Sequence, residues 1–178
     1  MMIRNAIPAD LPAMTAIYAH HVLHGTGTFE ETPPDATEMA ARVSKVQDSG
    51  WAWLVAEAAA GDPLAGGVVG FAYYAQFRDR SAYRFTAEDA VYVRDDVRGQ
   101  GVGKLLVEAL LTHAAAAGFR QMLAVIGDSE NVGSIGLHVS TGFRQAGVLK
   151  ATGLKFGRWV DVVFMQRALG EGDRSPPQ

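Results

Sequence analysis

The chain has 178 residues, 48% of them apolar and 9% aromatic, which is enough for one compact core and too few for two. Sixteen basic against nineteen acidic residues leave a net charge of −3, so the composition offers no electrostatic footprint for nucleic acid. The absence of cysteine excludes disulfides, thiolate metal sites and a cysteine nucleophile. The N-terminus runs into an amphipathic pattern without an apolar signal core, and no apolar run approaches the ~18 residues of a membrane span. A soluble cytoplasmic protein without membrane or nucleic-acid partners is expected.

"MIRNAI" reads as a first strand. Asp10 is placed to cap a helix with Pro12 in its first turn and Leu11, Met14, Ile17 and Tyr18 at helical spacing, ending near Gly25. "TGTFEETPP" is a loop, and Asp35 with Glu38 forms a capping box for a second helix that carries Met39, Val43 and Val46 and closes at Gly50. "WAWLVAEA" and "GGVVGFAYYAQF" are strands of a hairpin turning at Gly61, Asp62 and Pro63. "RDRSAYRF" interrupts with charge, "TAEDAVYV" is a strand and "RDDVRGQGVG" a turn. The next helix has Leu105, Leu106, Ala109, Leu110 and His113 as its expected buried stripe and ends at Gly118. "QMLAVIG" is a strand, a short helix runs from Ser134 to Thr141, and "AGVLKA" and "DVVFMQRAL" are strands around a "TGLKFGRW" loop. A single domain over residues 1–169 is expected, followed by a disordered tail, 170–178.

Strand, glycine-rich turn and helix form an arrangement for binding phosphate, because unpaired N–H groups at a helix N-terminus converge on an anion. A Walker loop would need glycine at Arg98 and a hydroxyl at Leu105, and a dinucleotide fingerprint would need its third glycine at Lys104. The remaining pattern, Arg98-x-x-Gly101-x-Gly103 after a strand, resembles the pyrophosphate loop of the GNAT acetyltransferases; the plain alternative is an ordinary glycine turn. From Ile3 to Leu169, "FTAEDAVYV", "AVIG", "NVGSIGLHVSTGF" and "LKFGRWVDVVFMQ" are similar to the phosphinothricin N-acetyltransferase branch, which includes enzymes acetylating methionine sulfoximine and methionine sulfone. That resemblance implies an α/β GNAT fold: a mixed, twisted sheet splayed between two parallel central strands, helices on both faces, acetyl-CoA wedged in the splay, no metal, and a homodimer. It assigns the backbone of Val91, Tyr92 and Val93 to the pantetheine and thioester. Arg98, Gly99, Gln100, Gly101, Val102, Gly103 and Lys104 fall to the pyrophosphate, and Asn131 and Ser134 to the pantetheine side. Asn131 reads equally well as a helix cap.

Acetyl transfer to an amine needs a base, a donor for the developing oxyanion and a proton for the departing thiolate. The family motif places its glutamate at Glu88, whose alternative is a surface ion pair; strand alternation turns Asp89 to the opposite face, which argues that the two cannot share a site. A backbone N–H between Val91 and Val93 suits the oxyanion. His138 stands where many relatives carry a proton-donating tyrosine, and its alternative is a packed core histidine. Arg78, Arg80 and Tyr83 are candidates to clamp a substrate carboxylate, with Phe29, Glu30, Phe156 and Trp159 as the pocket wall, against a reading as solvated loop and core aromatics. The expected activity is acetyl transfer from acetyl-CoA to the α-amino group of a small methionine-like amino acid: phosphinothricin, methionine sulfoximine or methionine sulfone. The rivals are a CoA-binding module without catalysis, and an acetyltransferase for another small amine or a peptide N-terminus.

Overall fold

The computed structural model describes residues 1–61 and 67–177. In chain order these form β1 (Met2–Asn5), α1 (Leu11–His24), α2 (Ala36–Asp48), β2 (Trp53–Ala58), β3 (Gly67–Gln76), β4 (Thr86–Val93), α3 (Val102–Ala116), β5 (Gln121–Gly127), α4 (Val132–Ser140), β6 (Arg144–Lys155) and β7 (Arg158–Ala168). The seven strands form one sheet in the order β1-β2-β3-β4-β5-β7-β6. Only β4 and β5 pair in parallel.

Strands such as "WLVAEA" are apolar at consecutive positions because both faces of the sheet are covered. On one face Trp53, Val55 and Phe71 pack with Met14, Ile17 and Val22 of α1 and Met39, Val43 and Val46 of α2. On the other, Leu54, Ala56, Val69 and Ala72 pack with Leu106, Val107, Leu110 and Leu111 of α3, and Ile135 and Leu137 of α4 join them. The splayed, mixed α/β sheet with helices on both faces is therefore as expected.

Local details depart from the sequence reading in several places. Asp10 does not cap α1: its carboxylate takes a two-pronged pair from Arg4 at 2.7 and 2.8 Å and accepts the Ile7 N–H at 2.9 Å. Asp35 does cap α2, accepting the Glu38 N–H at 2.8 Å, but the Glu38 carboxylate turns to Arg42. The buried stripe of α3 is Val102, Leu106, Val107, Leu110, Leu111 and Ala114, while Leu105 and His113 face solvent. The helix α4 starts at Val132, two residues before the expected Ser134. The "TGLKFGRW" loop is mostly strand: Leu154↔Trp159 and Lys155↔Arg158 pair, leaving a two-residue turn at Phe156 and Gly157, both at positive φ, as a primed hairpin turn requires. The expected turn at Gly61, Asp62 and Pro63 lies partly outside the described residues, although β2 and β3 pair antiparallel as it implies. Beyond β7, where disorder was expected, residues 170–174 form turns in which the Gly172 N–H reaches the Leu169 carbonyl at 2.8 Å.

Candidate active site

β4 pairs with β5 only from Thr86↔Gln121 to Asp89↔Ala124. Beyond that point each keeps its outer neighbour, β4 pairing with β3 as far as Val93↔Gly70 and β5 with β7 as far as Gly127↔Val162, so the sheet opens into a V at its centre. The Phe77 N–H bonds the Thr86 carbonyl and the Arg94 N–H bonds the Val69 carbonyl, so even-numbered residues of β4 exchange bonds with β3. Odd-numbered residues therefore turn their amides and carbonyls to the gap. Val91 and Val93 offer their backbone there; Tyr92, expected to do the same, is committed to β3. The Val93 carbonyl accepts a bond from His21 Nε2 at 2.9 Å. Burial keeps that imidazole below its usual pKa.

The V opens into a cleft of about 980 Å³. At its α3 side Gly99 and Gly101 hold φ of 76° and 82°, a left-handed region that only glycine enters freely. The first bond of α3 runs from the Leu105 N–H to the Gly101 carbonyl at 3.1 Å, which leaves the amides of Val102, Gly103 and Lys104 without helical partners. Those three residues line the cleft together with Arg98, Gly99 and Gly101. Gly103 admits α4 closely: a methyl there would sit 3.0 Å from Leu137 Cδ2. Arg98 pairs with Asp95 at 3.1 Å and Lys104 with Glu108 at 3.8 Å, both half-exposed. Free amides flanked by two cations suit a diphosphate. Gln100 is exposed and outside the wall, and the Val102 side chain is in the core, so Val102 contributes backbone alone.

Glu88 and Asp89 sit in the last paired turns of β4, one on each face, and both line the cleft. Their opposite faces do not separate them, contrary to expectation, because the cleft passes through the sheet. Burial pushes the Glu88 carboxyl above the usual carboxylate range, with Asp89 adding and Arg78 opposing. Asp89 reaches His138 Nε2 at 3.2 Å, and His138 Nδ1 lies 2.7 Å from the Ser134 carbonyl. Burial alone would lower the histidine's pKa, but the Asp89 carboxylate and the Ser134 carbonyl outweigh it and raise it. With an acceptor at each ring nitrogen, the doubly protonated imidazolium fits this place. Asn131 acts as the cap of α4, accepting the Ser134 N–H at 3.2 Å and donating to the Gly127 carbonyl at 3.3 Å; Asn131 and Ser134 both line the cleft.

The residues expected to hold the acceptor scatter. Phe156 alone among them lines the cleft. Arg78 lies over the Phe77 ring, close enough for its charge to act on Glu88, and Tyr83 packs on the same ring. The Arg80 backbone is taken up in a short 3₁₀ turn, and Trp159 is 65% exposed. Glu30 is bound by Arg42 at 2.7 and 3.1 Å and by the Tyr18 hydroxyl at 2.8 Å, and Phe29 packs against Gly153; both anchor the α1–α2 connection. The sequence reading missed His21, Thr26, Tyr73, Asp89 and Arg158, which all line the cleft. Three histidines within "HHVLHGTG" abutting a glycine loop were the available signal for the first two. Among the described residues no cluster of three or more metal-ligating side chains occurs.

A parted strand pair with free backbone edges, an amide cradle for a diphosphate and a buried carboxylate at the apex define a site for CoA-dependent acyl transfer. The model of the acetyltransferase (GNAT) family matches residues 15–143. A phosphinothricin N-acetyltransferase of Alcaligenes faecalis is 54% identical over 95% of this chain and 83% of its own. A methionine sulfoximine/methionine sulfone acetyltransferase of Pseudomonas aeruginosa is 43% identical over 98% of each chain. The crystal structure of a phosphinothricin acetyltransferase from Sinorhizobium meliloti in complex with acetyl-CoA superposes with a TM-score of 0.93 at 47% identity, over 99% of this chain and 92% of that one. The chain belongs to the GNAT acetyltransferase family and is an acetyl-CoA-dependent N-acetyltransferase.

Proposed function

We propose that this enzyme acetylates the α-amino group of a small methionine-like amino acid, with phosphinothricin, methionine sulfoximine and methionine sulfone as the acceptor class. The observation that carries the reading is the parting of β4 from β5 at Asp89 and Ala124, with the half-buried Glu88 at the apex. Acetyl-CoA, when bound, supplies an acyl group on a good leaving thiol. The amides of Val102, Gly103 and Lys104 hold its diphosphate, and the odd-numbered edge of β4 aligns the pantetheine arm. Glu88, ionised, accepts the proton of the attacking amine directly or through one water. An amide of that β4 edge, Val91 or Val93, faces the thioester oxygen as negative charge develops there. The proton for the departing sulfur is the one held between His138 Nε2 and Asp89.

Exposed Leu149, Leu154 and Trp159 along the β6–β7 edge support a homodimer that covers them, and a cytoplasmic location is part of the same proposal. No helix of the described residues is long and apolar enough to cross a membrane. The test is thiol release from acetyl-CoA with a panel of free amino acids and the three analogues. Turnover of at least one analogue, dependent on the amine, supports the reading; calorimetric CoA binding with no thiol release for any amine would refute it.

A further inference from the structure

Lys155, the last residue of β6, is 2% exposed. Its ammonium donates to two main-chain carbonyls, Gly25 and Thr28, each at 2.8 Å. These carbonyls bracket the stretch that leaves α1, in which Gly25, Thr26 and Gly27 line the cleft with Glu88. The same ammonium stands 5.0 Å from the centroid of the Phe156 ring, which lines the cleft from the hairpin tip. One side chain thus touches both walls. The stretch is docked on β5 and β6 as well. The Thr26 carbonyl lies so close to Gly127 that a methyl there would overlap it, and the Phe29 ring covers Gly153 in the same way. Beyond Lys155 the far end is tied by Thr28 Oγ1 to the Tyr18 hydroxyl at 3.0 Å. A methionine of similar length would fill this space without losing hydration. What the ammonium adds is a fixed distance between loop and hairpin.

We propose that Lys155 is a positioning residue for the acceptor: its bonds to Gly25 and Thr28 and its contact with Phe156 fix the loop and the hairpin tip as one rigid wall around the incoming amino acid. The kinetic part rests on the acyl-transfer reading above; the structural part does not. In Lys155→Met the acceptor KM rises at least about tenfold, the scale of one lost charge-assisted hydrogen bond. The acetyl-CoA KM and kcat at saturation stay within about twofold, because the diphosphate cradle and Glu88 do not touch Lys155. Lys155→Arg, which keeps a cation and its donors, recovers most of the acceptor affinity. In hydrogen exchange, the Gly25 amide, which donates to the His21 carbonyl at 3.0 Å, is protected in the wild type and exchanges faster in Lys155→Met, while β2–β4 are unchanged.

An unchanged acceptor KM, or equal rises in both KM values, overturns the proposal. So does wild-type exchange of the Gly25 amide at free-loop rates, a result that needs no folded variant. A wild-type enzyme that turns over no acceptor would refute the substrate reading, while the exchange experiment would still decide whether Lys155 clamps the loop.

Discussion

Gly101 caps α3 with φ 82° and ψ −2°, and an added methyl would meet nothing within 4 Å. Gly101→Ala is therefore a purely conformational perturbation. The left-handed region costs an L-residue about 1–2 kcal/mol, partly offset by about 0.4–1 kcal/mol from a stiffer unfolded chain, leaving about 1 kcal/mol of destabilisation. For a chain of this size that lowers Tm by about 2–4 °C. Relief of the strain toward negative φ rotates the peptide leading into Val102 and turns its amide away from the diphosphate. Losing one or two charge-assisted bonds weakens CoA about 10- to 100-fold. Gly118, at the other end of the same helix, provides the control: its φ is 88°, a methyl there is equally unopposed, and it lies outside the cleft. Gly118→Ala should show a similar fall in Tm with unchanged CoA affinity. Calorimetric titration of CoA into both variants decides the matter, and equal effects on CoA binding would refute the cradle.

Glu88→Gln lowers kcat about 10²–10⁴-fold, the value of a general base, and removes the acidic limb of the pH–rate profile; in the wild type that limb lies above the ordinary 4.5 because burial raises the carboxyl. Asp89→Asn removes the charge that holds the His138 proton, so the basic limb moves to lower pH. The same pair contributes to stability: with the folded pKa of His138 raised above 6.5, the contribution is complete below that value and is lost as pH climbs through the folded one, and denaturation against pH should lose this slope in Asp89→Asn. Trp159→Asp, at a side chain 65% exposed, should convert a dimer to a monomer in light scattering; an unchanged mass would refute the β6–β7 edge as the interface.

Much of the fold was legible because each element carried its own local signal: the Asp35 cap, the alternation through β4, the glycines flanking α3. Errors arose where two phases fit equally. In "LLVEALL" apolar residues occur in adjacent pairs, so shifting the stripe by one residue keeps the periodicity, and the packing of Val107 and Leu111 against the sheet decides which phase is buried. Gly153 suggested a loop, yet it marks an irregularity in β6 where Phe29 needs room. The cofactor half of the site is built mostly from contiguous backbone and so could be read off the chain. The acceptor half is assembled from α1, β3, β4 and the β6–β7 turn, and neither the charge cluster of Arg78, Arg80 and Arg84 nor the apolar run holding Lys155 indicates which segments meet.

The unpaired edges of β4 and β5 have a thermodynamic consequence. The sheet is two half-sheets joined by four residue pairs, and in the proposed mechanism the missing rungs are supplied by acetyl-CoA. Folding and occupancy are then linked: whatever concentration of acyl carrier surrounds the chain adds its binding free energy to the native state. Abundance of the enzyme would follow the supply of its own donor.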